Sequence, residues 1–322
     1  MTNIVAFQSQ WADLLIDFAA FKRSGGYRAG NLDHQLRRLD RFLAAEGATP
    51  PIISRVLAER YLAQMPELMP RTRAAHFGRL SQFCRFLHAR YPDCFVPDRE
   101  MRPQVPDAQC YYLYSQEEIH ALIAAAEQLR PGHFAPLQAQ TMATLIHLLA
   151  TTGLRISEAL KLRLPDVDWE EGVLFVKDSK FGKSRLVPVG PETRRMLYAY
   201  VQLRLRAPIP QGASDAVFVS RRGTPYSDDC VRALFGRLVR QALHKRGPRL
   251  HDLRHSFAVR RLLDWYRDGQ DVMARLPLLT AYLGHVNVAN TSVYLHATAE
   301  LLSEANARFR QYAGAALTEV SS

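Results

Sequence analysis

The sequence predicts a mainly α-helical protein with a small antiparallel β-sheet in its C-terminal domain. Three features lead to this prediction. Apolar residues recur every three or four positions along most of the chain, a proline-containing stretch near residue 100 lacks periodicity, and two short β-branched runs flank a glycine-containing turn near residue 180. At 322 residues and 48% hydrophobic composition, the chain is long enough to form two domains with separate cores.

The N-terminal part, residues 1–100, is predicted to be a bundle of amphipathic helices. Breaks that contain Gly, Pro or Asn separate these helices, since such residues interrupt helices and favour turns. The segment that follows has three prolines and mixed charges between residues 97 and 109, which is typical of a linker. We therefore place a linker at residues 101–112. The helices are expected at residues 8–21, 32–45, 52–64 and 71–91.

The C-terminal part, residues 113–322, begins with a capping box formed by Ser115 and Glu118, which predicts a helix through residue 129. The apolar pattern at 136–152 predicts a second helix that ends at Gly153, and a short third helix follows it. The runs VLFVK and SRLVPV predict two adjacent antiparallel strands. Further helices are expected at residues 191–206, 227–243, 250–267, 273–284 and 288–297.

The net charge of +11 favours a polyanionic partner, for which nucleic acid is the first choice and an acidic membrane surface the second. Both parts share the excess: residues 1–105 contain 15 Lys and Arg against 10 Asp and Glu, and the remainder contains 27 against 21. The sequence has no run of about 18 apolar residues and no secretory leader pattern, and its four cysteines form no CxxC pair. We expect a soluble cytoplasmic protein.

Several residues of the C-terminal part have the chemistry needed to cleave a phosphodiester without a metal ion. Planar guanidinium groups neutralise the non-bridging oxygens as the transition state forms, and Arg155 and Arg254 are the candidates. His251 precedes Arg254 by three residues in HDLRH, so both are expected on one face of a helix. His285 closes a predicted helix, where the helix dipole would favour a protonated imidazole. Taken singly, each of these residue types is more often structural.

In their order and local sequence, these residues resemble the tyrosine recombinase family, which includes the phage integrases and the Xer recombinases. The resemblance covers roughly residues 110–300 and rests on TTGLRISEAL, SKFGKSRLVPV, HDLRH, LGH and SVYLHA. It implies a helical core-type DNA-binding domain, a catalytic domain, and site-specific DNA recombination that needs no metal, ATP or other cofactor. The residues that it assigns to catalysis are Arg155, Lys180, His251, Arg254, His285 and Tyr294.

The resemblance also implies a role for each residue. Tyr294 would attack the scissile phosphate and form a 3′-phosphotyrosyl link while a 5′ hydroxyl leaves. Lys180, in the turn between the two predicted strands, would protonate that leaving oxygen, although Lys177 and Lys183 compete for the role. The arginines and histidines would hold the phosphoryl oxygens, with His251 also able to assist proton transfer, and Glu158 would support the active-site groups.

The expected partner is double-stranded DNA with a specific crossover site, and the expected assembly is a homo-oligomer on DNA, a tetramer in the synaptic complex. The tail beyond Tyr294 has a helical period. The resemblance implies that this helix docks on a neighbouring protomer, and the alternative is that it caps its own catalytic domain. Basic residues of the predicted helix at 71–91 would contact DNA, and a merely solvated face is the equal alternative. The residues are Arg71, Arg73, Arg79 and Arg85.

Three other functions are left open by the residues themselves. A type IB topoisomerase would use the same chemistry without exchanging partners, and a catalytically silent DNA-binding protein would keep the fold alone. A metal-dependent hydrolase would use His251 and His255, whose spacing resembles the zinc-binding H-E-x-x-H motif, but Asp252 stands where that motif has glutamate. We expect His255 to pack or to support the site.

Two departures from the family pattern refine the hypothesis. The connection between Arg254 and His285 is several residues longer than in compact members, and the helical bundle begins near residue 8 without an additional arm-site-binding domain. We expect the longer connection to lengthen a helix or loop without moving its ends. The second feature favours a recombinase of the mobile-element or chromosome-resolving type.

Overall fold

Helices form most of the structure, a computed structural model that describes residues 7–25, 29–105, 111–130, 137–177, 184–207, 214–220, 222–285, 287–296 and Ser303. The chain divides into two units, Met1–Gln109 and Cys110–Ser322. The described strands form one antiparallel sheet in the second unit. The fold class expected from the sequence is therefore confirmed. Lys180 and the tail at 301–322, apart from Ser303, lie outside the described residues.

The first unit contains four helices within its described residues. Its buried core includes Trp11, Phe18 and Phe83, whose rings meet edge to face at centroid distances of 6.3 and 5.3 Å. The N-terminal helix begins four residues later than predicted because buried Asp40 accepts hydrogen bonds from the backbone N–H groups of Gln8 and Ser9, which holds that segment in a turn. The helices are α1 (Ala12–Ser24), α2 (Ala29–Ala45), α3 (Arg55–Ala63) and α4 (Pro70–His88).

The second unit is built around one buried helix. The helices of this unit are α5 (Gln116–Glu127), α6 (Gln138–Thr152), α7 (Ile156–Lys161), α8 (Pro191–Arg206), α9 (Asp228–Leu243), α10 (Asp252–Arg267), α11 (Val272–Leu283) and α12 (Ala289–Ser292). The predicted capping box opens α5. Helix α6 is buried along nearly its whole length and packs against α5, α8 and α10, so it forms the centre of the core.

A three-stranded antiparallel sheet lies between α7 and α8. Its strands are β1 (Val167–Asp168), β2 (Val173–Val176) and β3 (Arg185–Pro188), in that order across the sheet. Leu174 and Val187 pair across β2 and β3 and are both fully buried, which fixes the register of these strands. The two longer strands were predicted, whereas β1 has only two residues and gives no pattern in the sequence.

The last predicted helix, 288–297, is divided in the structure. Residues Ala289–Ser292 form the short helix α12, and Val293–His296 continue as a 3-10 turn that carries Tyr294. This turn packs against α10 and α12. Residues Val293–His296 are therefore held against α10, which begins directly after His251.

Candidate active site

The C-terminal end of α6 positions the first candidate arginine. Gly153 ends this helix with φ +62°, and a Cβ atom there would lie 2.5 Å from Cδ1 of Phe257, so both conformation and space require glycine. The chain turns directly into α7, whose N-cap residue is Arg155. Glu158 accepts hydrogen bonds from the backbone N–H of Arg155 at 3.0 Å and from its guanidinium at 2.7 Å.

Glu158 is the buried acid of this cluster. Its carboxylate also accepts hydrogen bonds from Arg185 of β3, at 3.1 and 2.9 Å, so it joins two guanidinium groups from different elements. Burial opposes ionisation, but the hydrogen bonds and charge of Arg185, together with those of Arg155, outweigh burial and lower the pKa of Glu158 to about 2. The carboxylate is therefore ionised at neutral pH and orients Arg155.

Arg254 lies in the first turn of α10 and is only 1% exposed. Its guanidinium donates to the carbonyl oxygens of Gly153 at 2.7 Å and Leu283 at 2.6 Å. These carbonyls belong to the ends of α6 and α11, so one side chain joins three helices. Burial and the nearby charge of Arg155 lower the pKa of Arg254 to about 9, which leaves it protonated at neutral pH.

Three guanidinium groups meet the last carbonyl oxygens of α11. Helix C-terminal carbonyls carry partial negative charge and lack partners within the helix, so they attract cations. The pairs are Arg185 with Tyr282, Arg254 with Leu283, and Arg155 with Gly284, at 2.7, 2.6 and 3.2 Å. Gly284 has φ +67°, and a Cβ atom on it would lie 2.9 Å from Nη1 of Arg185. Glycine at this position lets the arginines approach the helix end.

His285 follows this helix end directly. Its Nδ1 lies 2.8 Å from the hydroxyl of Thr291, which also accepts a hydrogen bond from Thr280 at 2.9 Å. Burial, followed by the charges of Arg254 and Arg155, lowers the pKa of His285 to about 3. The expectation that the helix dipole favours a protonated imidazole is therefore wrong, because the helix carbonyls already bind guanidinium groups and the imidazole lies beside the same positive charges.

His251 and His255 lie at the start of α10. His251 is the N-cap residue, and its ring meets that of His255 edge to face at 4.8 Å. Burial lowers the pKa of both histidines to about 4, with further lowering of His251 by Arg254 and of His255 by His251. The ring of Tyr111, from the segment before α5, packs on His255 at 4.0 Å. Both imidazoles are therefore neutral at neutral pH.

Tyr294 lies inside this cluster and in the same chain. Its hydroxyl is 2.7 Å from Nδ1 of His255, and its ring stacks at 6.4 Å on that of His285. The side chain is only 2% exposed, and burial raises the pKa of Tyr294 to about 12, against the lowering effect of Arg254. The structure thus brings together Arg155, His251, Arg254, His285 and Tyr294 from four separate parts of the second unit.

Comparison with known proteins assigns the chain to a family. The family model described as "Phage integrase family" matches residues 113–300, which include every one of the gathered side chains. The chain belongs to the phage integrase family. It is a tyrosine-type site-specific recombinase, and its relatives carry integrase and tyrosine recombinase names.

The relatives cover most of the chain. A protein of Sinorhizobium fredii named integrase/recombinase y4rB is 34% identical over 302 residues, which is 92% of this chain and 95% of the relative. The tyrosine recombinase XerD of Ralstonia nicotianae is 32% identical over 67% of this chain and 64% of its own length. The Tn1549 transposon integrase, solved in complex with transposon right end DNA, is 20% identical with a TM-score of 0.68, over 93% of this chain and 99% of that one. This structural likeness shows the fold.

The sixth residue that family resemblance assigned to catalysis, Lys180, lies outside the described residues, as does Lys183. The third candidate lysine is described. Lys177 forms an ion pair with Asp166, whose carboxylate is buried. Because this pair engages the ammonium group of Lys177 with a buried carboxylate, it does not support Lys177 as the acid for the leaving oxygen.

Sequence reasoning missed Arg185 and left the role of His255 general. Arg185 stands in the first position of a strand, where its side chain could point to either face, and only the folded contact with Glu158 shows its use. His255 was expected to pack or to support the site, and in the structure its Nδ1 lies 2.7 Å from the Tyr294 hydroxyl. The available signal was its position next to Arg254 in HDLRH, one helical turn after His251.

The arginines predicted to contact DNA on α4 differ in exposure. Arg71 and Arg85 are exposed and Arg73 is half-buried. Arg79 is buried, and its guanidinium donates to Gln35 and Gln82 at 3.0 Å each. The prediction for Arg79 is therefore wrong, since this group holds α4 against α2 and lies within the helical bundle.

A more continuous basic face lies on α2. His34, Arg37 and Arg41 are exposed at spacings of three and four residues, so they share one face, and they border a cleft of about 360 Å³. The two acids nearby are already engaged: Asp33 pairs with Arg23, and Asp40 binds Ser9. This face, which we call the α2 basic face, escaped sequence reasoning because the amphipathic pattern alone does not show which charged residues remain exposed.

No group of three or more His, Cys, Asp or Glu side chains in the part of the chain that the structure describes is placed to hold a metal ion. None of the described helices is long and apolar enough to cross a bilayer.

Proposed function

We propose that the chain recombines double-stranded DNA at a specific crossover site by cleaving and rejoining strands through Tyr294. The observation that carries this proposal is the position of the Tyr294 hydroxyl within a cluster of buried cationic side chains. A tyrosine oxygen that attacks a phosphodiester forms a phosphotyrosyl bond and releases an alcohol. The family resemblance supports a 3′-phosphotyrosyl link and a free 5′ hydroxyl.

The charge balance of the cluster supports a phosphate as its ligand. Arg155, Arg185 and Arg254 share a single described carboxylate, that of Glu158, so the cluster carries an excess of about two positive charges while its histidines are neutral. Buried charges without partners are costly, and a phosphodiester would supply the missing negative charge. Burial is the largest cause of the lowered pKa values of Arg254 and His285, and the neighbouring arginine charges lower both further.

Each side chain then has a role. Arg155 and Arg254 hold the non-bridging oxygens and neutralise the charge that develops in the transition state. His251 and His285 assist as hydrogen-bond donors or proton carriers, and Lys180 remains the proposed acid for the leaving oxygen. Glu158 orients Arg155, and Arg185 binds the same carboxylate from β3.

The proposal divides the work between the two units. The second unit carries the chemistry, and the first acts as the core-type DNA-binding domain, with the α2 basic face and the exposed Arg71 and Arg85 on phosphates. The family resemblance supports a homo-oligomer on DNA, with four protomers in the synaptic complex and the tail at 301–322 docked on a neighbour. It also supports a mobile-element or chromosome-resolving role in the cytoplasm.

The test is covalent trapping. The probe is a nicked duplex built on the sequence that the full chain retains from a random duplex library, incubated with excess EDTA. We expect a covalent protein–DNA complex with the attached end at a 3′ phosphate, and its complete loss in Tyr294→Phe with duplex binding retained. Failure of the wild-type chain to form the complex, or loss of activity in EDTA, would contradict the proposed function. The control is Tyr111→Phe, which removes a different tyrosine hydroxyl next to the ring of Tyr294. This variant should still form the covalent complex.

A further inference from the structure

The hydroxyl of Tyr294 has one described hydrogen-bond partner, and that partner is a base. Nδ1 of His255 lies 2.7 Å from the hydroxyl oxygen, within the usual range for an O–H group bonded to an imidazole nitrogen. We propose that His255 is a catalytic residue that accepts the proton of Tyr294 as the phosphotyrosyl bond forms. This inference rests on the proposed function, since it assigns a step in the same reaction.

The other two histidines are less suited to this step. Nδ1 of His285 is engaged by Thr291, and its ring stacks on that of Tyr294 without a hydrogen bond to the hydroxyl among the described residues. The ring of His251 packs edge to face on that of His255, and no hydrogen bond joins His251 to the Tyr294 hydroxyl among the described residues. His255 is therefore the imidazole aligned with the O–H bond that has to break.

The surroundings of His255 fix its ring. Tyr111 packs on it at 4.0 Å and His251 at 4.8 Å, so the imidazole cannot turn away without displacing a neighbouring ring. With its proton on Nε2, the neutral imidazole presents the Nδ1 lone pair to Tyr294. A general base must be neutral and within hydrogen-bond reach of the proton it removes, and His255 meets both conditions.

The proton moves during attack and not before it. Burial raises the pKa of Tyr294 to about 12 and lowers that of His255 to about 4, so complete proton transfer in the resting site would be strongly disfavoured. As the oxygen of Tyr294 bonds to phosphorus its basicity falls, and the negative phosphate raises that of the imidazole. The Oη–H and P–O5′ bonds break while the Oη–P and Nδ1–H bonds form, and the 5′ oxygen takes a proton from the separate acid.

Rejoining uses the same groups in reverse. The incoming 5′ hydroxyl attacks phosphorus and loses its proton to the group that served as the acid, the Oη–P bond breaks, and the protonated His255 returns its proton to Tyr294. No proton is gained or lost over the cycle. Asp252, buried in the first turn of α10, favours the imidazolium form of His255, while Arg254 disfavours it, so the proton is held only transiently.

The decisive variants are His255→Asn and His255→Ala, assayed with the nicked duplex described above. Asparagine places a polar atom near the former Nδ1 and can keep the contact with Tyr294, but it is not a base. We expect His255→Asn to form the covalent complex about 100-fold more slowly, in the range usual for loss of a general base, with duplex binding unchanged. The control for loss of a buried histidine is His147→Gln, because His147 is buried in α6 and its Nε2 lies 3.1 Å from the hydroxyl of Thr193.

A second probe separates the nucleophile from the leaving group. A duplex with sulfur in place of the bridging 5′ oxygen needs no acid, since a thiolate leaves unprotonated. We expect this probe to leave the defect of His255→Asn unchanged. Restoration of the rate would place His255 on the leaving group and overturn the proposal, and so would a wild-type rate for His255→Asn on the oxygen probe.

The rate of covalent trapping in His255→Ala distinguishes a general base from a residue that only holds Tyr294 in place. If His255 only held Tyr294 in its buried position, removing it would accelerate trapping, and that result would also overturn the proposal. If His255→Ala fails to fold, His255→Asn still decides the question. A wild-type chain that forms no covalent complex on either probe contradicts the proposed function itself, which is a different outcome from a slow variant.

The pH profile provides a readout that a structural role would not change. Wild-type cleavage should vary little between pH 6 and 9, because His255 is neutral throughout, whereas His255→Asn should gain about tenfold per pH unit as hydroxide replaces the base. Parallel profiles for the two proteins would contradict the assignment. The titratable and charged groups that face His255 are Tyr111, Arg249, His251, Asp252, Arg254 and Tyr294.

Discussion

A single carboxylate organises the guanidinium groups of this site. Glu158 binds Arg155 and Arg185 through short hydrogen bonds and is 4% exposed. Its pKa is lowered to about 2, although burial alone would raise it, which means that the two arginines stabilise the ionised form strongly. Arg155 is consequently held before any ligand binds, and under the proposed function this preorganisation spares the enzyme a reorganisation cost during the reaction.

This coupling predicts a pH-dependent loss of stability in Glu158→Gln. The folded pKa of about 2 lies below the unfolded value of 4.5, so the carboxylate contributes stability above pH 4.5 that is lost as pH falls from there toward 2. The difference corresponds to about 3 kcal/mol at pH 7. Urea unfolding should show the variant destabilised by about this amount at pH 7 and by less at pH 3.

The control for this prediction is Asp215→Asn. Asp215 also pairs with an arginine, Arg163, but both side chains are exposed, at 40% and 57%. Exposed pairs contribute about 0–1 kcal/mol, so this variant should unfold nearly as the wild type does. Equal destabilisation by the two substitutions would show that burial of Glu158 is irrelevant.

At the scale of elements, the end of α11 is where the site is assembled. Its last carbonyl oxygens receive one guanidinium each from β3, α10 and the start of α7, and His285 follows in the next position. Any displacement of this helix end therefore moves three arginines together. Gly284 makes the approach possible, because it adopts φ +67° and leaves room beside Arg185.

Gly284→Ala should accordingly slow cleavage, beyond the loss of stability that alanine causes at any position with positive φ. Alanine at positive φ costs about 1–2 kcal/mol, and its Cβ would in addition push Arg185 away from Glu158. Gly172→Ala is the matched control in the same unit, since Gly172 has φ +64° but its nearest Cβ contacts are at 3.4 Å. We expect similar shifts in melting temperature to within a few degrees, and at least tenfold slower covalent trapping for Gly284→Ala alone. Equal trapping rates for the two variants would contradict the idea that cleavage depends on the close approach of Arg185 to Gly284.

The sequence predicted local structure well where a local cause existed. The Ser115–Glu118 capping box and Gly153 begin and end helices through contacts within one turn, and the structure has both. Contacts between distant segments could not be predicted in this way. Nothing in a strand residue such as Arg185 shows that it reaches Glu158, 27 positions away, and the turn at residues 7–11 depends on Asp40 from the next helix.

The same limit explains the errors at the site. The dipole argument for His285 used only its own helix and omitted the three arginines that other elements bring to that helix end. Arg79 was assigned to DNA because it shares a helix with exposed arginines, but burial against Gln35 of α2 is a tertiary property. His255 was expected only to pack or to support the site in general, because its partner Tyr294 lies 39 positions later and no local pattern shows the contact.

At the scale of the whole molecule, the positive charge occurs in two different settings. In the second unit, guanidinium groups are buried around Tyr294 and held by hydrogen bonds to Glu158 and to helix carbonyls. In the first unit, the α2 basic face is exposed to solvent, and the proposed function gives it the phosphates of the duplex. Buried cations are suited to transition-state stabilisation, and exposed ones to salt-dependent binding of a polyanion.

This division predicts that affinity and chemistry can be altered separately. Replacing both Arg37 and Arg41 with alanine should weaken duplex binding and reduce the slope of log affinity against log salt by about 2, since each phosphate contact contributes about 0.9. At saturating duplex, the rate of covalent trapping should remain within about twofold of the wild-type rate. Fluorescence anisotropy over a salt series, followed by single-turnover trapping, measures both quantities.

The matched control removes the same charge from the same unit. Arg55 and Arg60 of α3 are exposed but paired with Glu59 and Glu46, so their double replacement by alanine lowers the net charge equally without removing a phosphate contact. Its salt slope should stay close to that of the wild type. Equal slopes for the two double variants would mean that net charge alone governs binding, and a large loss of single-turnover rate in Arg37→Ala/Arg41→Ala would mean that the α2 basic face also takes part in the chemistry.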